Sequence, residues 1–252
     1  MPVHRGYTFN HQHSASLEEL AGQVWLKSKV SPGIGFARKE VSKKISTGNE
    51  KGKARLRVVE TFSAFCVKGE TFNILSMPGL YWKFERALAG YTGSRGRNRY
   101  FSVENEAAIF RASVEHMLGF RHYEGFGMAD PFTMYSKYVH EYKLMDIETY
   151  VDVTPHNFDV AWLDFTGFIT PRRTEAIKSA FRKTSKALVV TLLEARQSKV
   201  MTRKINAAGG IENYLSAAVG MKAIDVYRYV DVVPMVQITW NKQPDFCTQV
   251  QE

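Results

Sequence analysis

The 252-residue chain predicts a doubly wound α/β domain with a mostly parallel sheet and an antiparallel strand pair at its carboxyl-terminal end. Three observations carry that expectation. Short runs such as FNILSM (72–77), FDVAWLD (158–164) and ALVVTLL (187–193) are apolar on both alternating faces, as strands covered on two sides must be. Segments of helical spacing stand between them, and parallel strands need such crossovers. The last two runs, AIDVYRYVDV (223–232) and VPMVQITWN (233–241), follow each other without a helix, which suits an antiparallel pair closing the sheet.

The elements follow in order. Ser16 and Glu19 have capping-box spacing, and Leu17, Leu20, Ala21, Val24 and Trp25 give the helix they start an apolar face. The stretch SPGIGFARKEVSKKISTGNEKGKAR (31–55) reads as a loop, a short helix at 37–45 and a turn at 47–53. A boundary near residue 60 divides a basic extension, 1–60, from the α/β domain, 61–252. In the domain, FNILSM and YWKFERALA (81–89) form one β–α unit, with Tyr81, Phe84 and Leu88 on one helical face. A basic glycine-rich loop, GYTGSRGRNR (90–99), leads to the strand YFSVE (100–104) and the helix NEAAIFRASVEHML (105–118). The stretch 119–157 reads as a loop at GFGMADPF, a helix over 132–144 and a turn at TPHN. After the strand FDVAWLD, Thr170 caps a helix with Pro171 at its first position. The strand beginning ALVVTLL is followed by one helical stretch, 198–220, and then by the final pair.

Composition narrows the function classes. No apolar run reaches 18 residues and the first residues lack the apolar centre of an export signal, so a cytoplasmic protein without a membrane span is expected. Cys66 and Cys247 form neither a disulfide framework nor a zinc pattern, and the seven histidines show no metal spacing; no metal is expected. The net charge is +9, and residues 27–57 hold ten basic side chains against two acids. Such a stripe suits a polyanion, nucleic acid or an acidic surface, and it equally describes a solvated basic arm.

Ligands of such sheets bind outside the carboxyl ends of the strands, where the strand order reverses. The first strand ends in Ser76-Met77-Pro78-Gly79, a turn in which Gly79 would let a ligand approach the backbone, or simply a chain reversal. The second ends in Glu104, 25 positions after Gly79, where an acid either holds the two hydroxyls of a ribose or caps the following helix. Asp164 ends the strand FDVAWLD and either orients an acceptor or shapes a turn. Lys43, Lys44, Lys51, Lys53 and Arg55 of the basic segment, with Arg95, Arg97 and Arg99 of the glycine-rich loop, are the candidate phosphate contacts.

Taken in order, a strand ending in a glycine turn, a strand ending in Glu104, a strand ending in Asp164, the run ALVVTLL and a final antiparallel pair resemble the class I S-adenosylmethionine-dependent methyltransferases over about 70–240. The resemblance implies a Rossmann-like methyltransferase fold and S-adenosylmethionine as cofactor. It implies a cofactor pocket lined by Ser76, Met77, Pro78 and Gly79, by Glu104 and Asn105 at the ribose, and by Phe165, Thr166 and Gly167 on the side facing the substrate, with Asp164 as the catalytic residue. The chain departs from the pattern in its first motif, where Met77-Pro78 stand in place of an acid and further glycines, and it lacks an Asn/Asp-Pro-Pro-aromatic sequence after the fourth strand. Two functions are therefore expected as alternatives. One is methyl transfer to nucleic acid by direct in-line displacement; the other is an inactive relative that binds nucleic acid or a protein partner within a larger assembly.

Overall fold

A computed structural model describes residues 49–67, 69–78, 82–92, 97–113, 139–165, 167–195 and 197–243. The expected helices at 16–25 and 37–45, the loop at 125–132 and the helix beyond residue 113 lie outside the described residues. The elements are α1 (Asn49–Ser63), β1 (Thr71–Ser76), α2 (Lys83–Thr92), β2 (Arg97–Glu104), a helical stretch at 107–113, β3 (Val139–Leu144), α3 (Ile147–Val153), β4 (Phe158–Asp164), α4 (Pro171–Lys183), β5 (Thr184–Leu193), α5 (Lys199–Ala207), α6 (Ile211–Val219), β6 (Asp225–Val230) and β7 (Pro234–Asn241).

The strands form one sheet in the order β3-β2-β1-β4-β5-β7-β6. β1 to β5 run parallel, and β7 lies antiparallel between β5 and β6. Side chains alternate between two covered faces, which is why the strands read as continuous apolar runs. On one face Phe72, Ile74, Tyr100, Val160, Trp162 and Val189 meet Val58, Val59 and Phe62 of α1 and Phe84 and Leu88 of α2. On the other, Leu75, Phe101, Ala161, Leu163, Val190 and Ile238 meet Ile147 and Tyr150 of α3, Ile177 and Phe181 of α4, and Leu215 of α6. Among the described residues no helix is long and apolar enough to cross a membrane.

Three local expectations are corrected. The stretch expected as a helix over 132–144 holds strand β3 from Val139, hydrogen-bonded in parallel to β2. Pairing with β2 and burial of Val139 and Tyr142 override the helical leaning of His-Glu-Tyr-Lys-Leu. The helix of this region comes after the strand: Asp146 caps α3 by accepting from the Thr149 backbone N–H at 2.8 Å. The single helix expected over 198–220 is two, because Gly209 and Gly210 take φ of 74° and 133° and turn the chain between α5 and α6. Finally, most of the turn expected at 47–53 is the first part of α1. Ala54, Val58 and Phe62 recur every fourth residue and are buried, so the sheet imposes the helix on a lysine-rich stretch. That helix carries the chain across residue 60 without a break.

Candidate functional site

The chain runs outward from β1 to β2 and β3, then returns to β4 on the other side of β1, so the order reverses between β1 and β4. In sheets of this kind a ligand binds outside the carboxyl ends of the strands at such a reversal, the edge that here bears Ser76 and Asp164. Both residues project to the face covered by α1 and α2, by the alternation of their strands.

Ser76 is fully buried, with its Oγ 3.0 Å from Ser102 Oγ on β2. Met77 and Pro78 follow, half-buried; Gly79 lies outside the described residues. Just before α2, Trp82 adopts φ 49°, a left-handed conformation that costs a bulky residue on the order of 1–3 kcal/mol. Burial sustains it: the indole is sequestered completely and meets the Tyr142 ring edge-on at 4.9 Å.

Glu85 lies in the first turn of α2, just below this turn, and is completely buried. Among the described residues neither of its carboxylate oxygens has a hydrogen-bond partner of good geometry. Burial pushes its pKa up to about 7, and the hydroxyl of Ser76, its own backbone and the charge of Arg55 offset only part of that. The same burial, stronger than its hydrogen bond to Ser113, raises the Tyr142 phenol well above the ordinary value.

At the tip of β2, Glu104 is half-buried and its Oε1 accepts the Glu106 backbone N–H at 2.9 Å. One oxygen thus serves the helical stretch that follows, as in the capping alternative. Asn105 stands exposed beside it.

The tip of β4 is the most polarised point. Asp164 Oδ2 lies 3.5 Å from Lys51 Nζ on α1, and the two side chains are only 15% and 20% exposed. Its other oxygen, Oδ1, is buried and has no hydrogen-bond partner among the described residues. Arg55, one turn further along α1, is half-buried, and its charge acts on Glu85, on Tyr229 and on Lys83 at the start of α2. Burial chiefly, then Arg55 and Lys51, lowers the Lys83 pKa, so three cations stand close together.

After Asp164 the chain is braced. Phe165 is buried and donates its N–H to Thr191 O at 2.9 Å. Gly167 is packed so closely by Arg173 that an added Cβ would stand 2.6 Å from its Nη1. Thr166 lies outside the described residues.

Of the candidate phosphate contacts, Lys51 stands beside Asp164 and Arg55 lies one turn further along α1. Lys53 is exposed and pairs with Glu50 at 2.7 Å. Arg97 and Arg99 belong to the beginning of β2, so this part of the chain stands at the amino edge of the parallel strands, the end opposite Asp164; Arg99 is exposed. Lys43, Lys44 and Arg95 lie outside the described residues. Sequence reasoning missed Lys83 and Glu85, because a charged residue in a first helical turn gives no sign of which way it is packed. Among the described residues no group of three or more His, Cys, Asp or Glu could hold a metal ion.

A parallel sheet in the order 3-2-1-4-5-7-6, with only the seventh strand reversed, is the fold of the class I S-adenosylmethionine-dependent methyltransferases. Solved structures similar to this chain include a putative rRNA methylase from Clostridium thermocellum, at 10% identity over 77% of this chain and 98% of that one, with a TM-score of 0.44. Another is an rRNA methylase from Streptococcus thermophilus, at 11% identity over 79% of this chain and 99% of that one, with a TM-score of 0.43. A third is the magnesium protoporphyrin IX methyltransferase of Synechocystis with bound SAH, at 8% identity over 84% and 95%, with a TM-score of 0.49. No family model and no curated protein matches the chain.

Proposed function

We propose that the chain is an S-adenosylmethionine-dependent methyltransferase acting on nucleic acid. The observation that carries this reading is the buried Oδ1 of Asp164, a carboxylate oxygen without a hydrogen-bond partner among the described residues, at the strand tip where an acceptor would lie. A buried acceptor atom left unsatisfied costs on the order of 1–3 kcal/mol, a cost that a donor on the substrate would remove.

Ser76 to Gly79, Glu104 and Asn105 would hold the cofactor, and Phe165 to Gly167 would wall the side facing the acceptor. The cofactor supplies an electrophilic methyl group on a sulfonium. Asp164 would accept a hydrogen bond from the acceptor's hydroxyl or amine and hold that group in a fixed orientation at the strand tip. Lys51 supplies the compensating charge that keeps a shielded carboxylate in place. Arg55 and Lys83 attract the phosphates that flank the acceptor. The buried surroundings of Trp82, Phe165 and Tyr142 exclude water from the transfer.

A second reading is favoured by the turn after β1, where Met77-Pro78 stand in place of glycines: a methyltransferase-like protein that binds nucleic acid or a protein partner without catalysis. Calorimetric titration with S-adenosylmethionine and its demethylated product separates the two. Micromolar binding that is lost in Glu104→Ala, with the melting temperature unchanged, is the expected result. Absence of binding at millimolar cofactor would leave the second reading.

A further inference from the structure

The edge of the sheet that bears the site is unevenly dressed. Lys51, Arg55 and Lys83 crowd the α1–α2 side. Phe168 after β4, Val200 in the first turn of α5, Val230 at the end of β6 and Val232 just beyond it instead expose apolar side chains, at 44%, 62%, 63% and 85%. Phe168 differs from the rest. Among the described residues every other phenylalanine and every tryptophan is buried, and of these rings Phe168 alone turns to solvent.

Its backbone is held firmly. Arg173 Nη1 donates to Phe168 O at 2.7 Å, and the same guanidinium lies 5.0 Å over the Phe165 ring and pairs with Glu148 at 3.1 Å. On one side Leu193 N donates to Gly167 O at 3.4 Å; on the other Ile169 N donates to Gln197 Oε1 at 2.9 Å, and that glutamine is tied to Leu193 O at 2.7 Å. A ring presented from a braced loop loses little conformational freedom when something stacks on it. It lies four residues beyond Asp164 on the same connection.

We propose that Phe168 is a stacking platform for an unpaired base, so that the site takes its acceptor from single-stranded nucleic acid. The inference rests on the nucleic-acid reading above and narrows it. A base inside a duplex has both faces covered by its neighbours, whereas an unpaired base offers a face to an aromatic ring. The cations opposite suit the adjoining phosphates: among the described residues no carboxylate lies within ion-pair distance of Arg55, so its guanidinium has an anion to gain.

The test uses the full chain and a fluorescently labelled oligonucleotide, either single-stranded or annealed to its complement, with affinity read by anisotropy at several salt concentrations. Phe168→Ala is expected to weaken single-strand binding about tenfold with the salt dependence unchanged, because stacking releases no counterions. Phe168→Trp should retain wild-type affinity, and duplex binding should be equal in all three proteins. Arg55→Gln should instead flatten the salt dependence. Single-strand binding by Phe168→Ala at wild-type affinity would overturn the platform while leaving the nucleic-acid reading intact. Failure of the wild type to bind either form would overturn both. The ring is exposed, so the melting temperature of Phe168→Ala should stay near that of the wild type and exclude a folding defect as the cause.

Discussion

Glu85 sets the clearest test at the scale of a single residue. Its carboxyl has a folded pKa of about 7 against an ordinary 4.5, so between those values the unfolded chain loses a proton that the folded chain keeps. The folded state binds more protons there, and stability falls as pH rises from about 4.5 to about 7, by about 3 kcal/mol in all. Glu85→Gln removes the ionisable group and keeps the shape. It should be more stable than the wild type at pH 8, with the difference closing towards pH 4.5, as read from urea midpoints at the two values. An equal difference at both would mean that the carboxyl does not titrate as its burial implies. Glu104 and Asp164 were legible in the sequence because each ends an apolar run, and the end of a buried strand in such a sheet is a defined place. Glu85 was not, since its burial depends on how α2 lies against β1 and β3. The pairing of Lys51 with Asp164 was hidden for the same reason: the two are joined only when α1 crosses the sheet.

Among the elements, α1 does two jobs from one stripe. Its first turns place Lys51 beside Asp164 with Arg55 one turn further on, and its later turns bury Val58, Val59 and Phe62 against β1 and β4. Phe62 is completely buried and meets Phe84 edge-on at 5.8 Å. Phe62→Ala should cost about 3–5 kcal/mol by denaturant titration. Because Lys51 is held by this packing, cofactor and acceptor affinities should also fall in that variant at temperatures well below its melting point. The helix was hard to read from sequence because its mean composition is polar and its amino-terminal part carries glycine and lysine, so local chemistry argued for a turn while tertiary packing decided for a helix. β3 repeats the lesson in the other direction, with a sheet edge imposing a strand on residues of helical leaning. β4, α4 and β5 were legible because cap, proline and apolar run all agree locally with the global packing.

For the whole molecule, the charge of +9 means that the proposed binding of nucleic acid should weaken steeply with salt. Replacing Lys43, Lys44 and Lys53 by Gln leaves the Lys51–Asp164 pair intact. It should reduce the slope of log affinity against log salt by about 0.7–0.9 for each phosphate that is no longer neutralised. An unchanged slope would make those side chains a solvated arm. The alternation of runs and helices implied a mostly parallel sheet closed by an antiparallel pair, while the strand order, with its reversal at β1, emerged only from the structure. What covers the strand ends could not be deduced, because it comes from residues far apart in the chain. Arg57 on α1 donates to both carboxylate oxygens of Asp225 on β6 at 2.9 and 3.0 Å across a separation of 168 residues, and Tyr227 reaches Glu50 across 177. These clasps join nearly the first described residues to nearly the last. During synthesis the helix that carries Lys51 must therefore wait, its apolar stripe uncovered, until the strands it packs on have left the ribosome. Closure against β6 comes later still. Pairings of such long range make folding slow. The α1 side of the strand ends is among the last parts of the molecule to be fastened, and a chain cut short before β6 would lack the contacts of Arg57 and Glu50 with Asp225 and Tyr227.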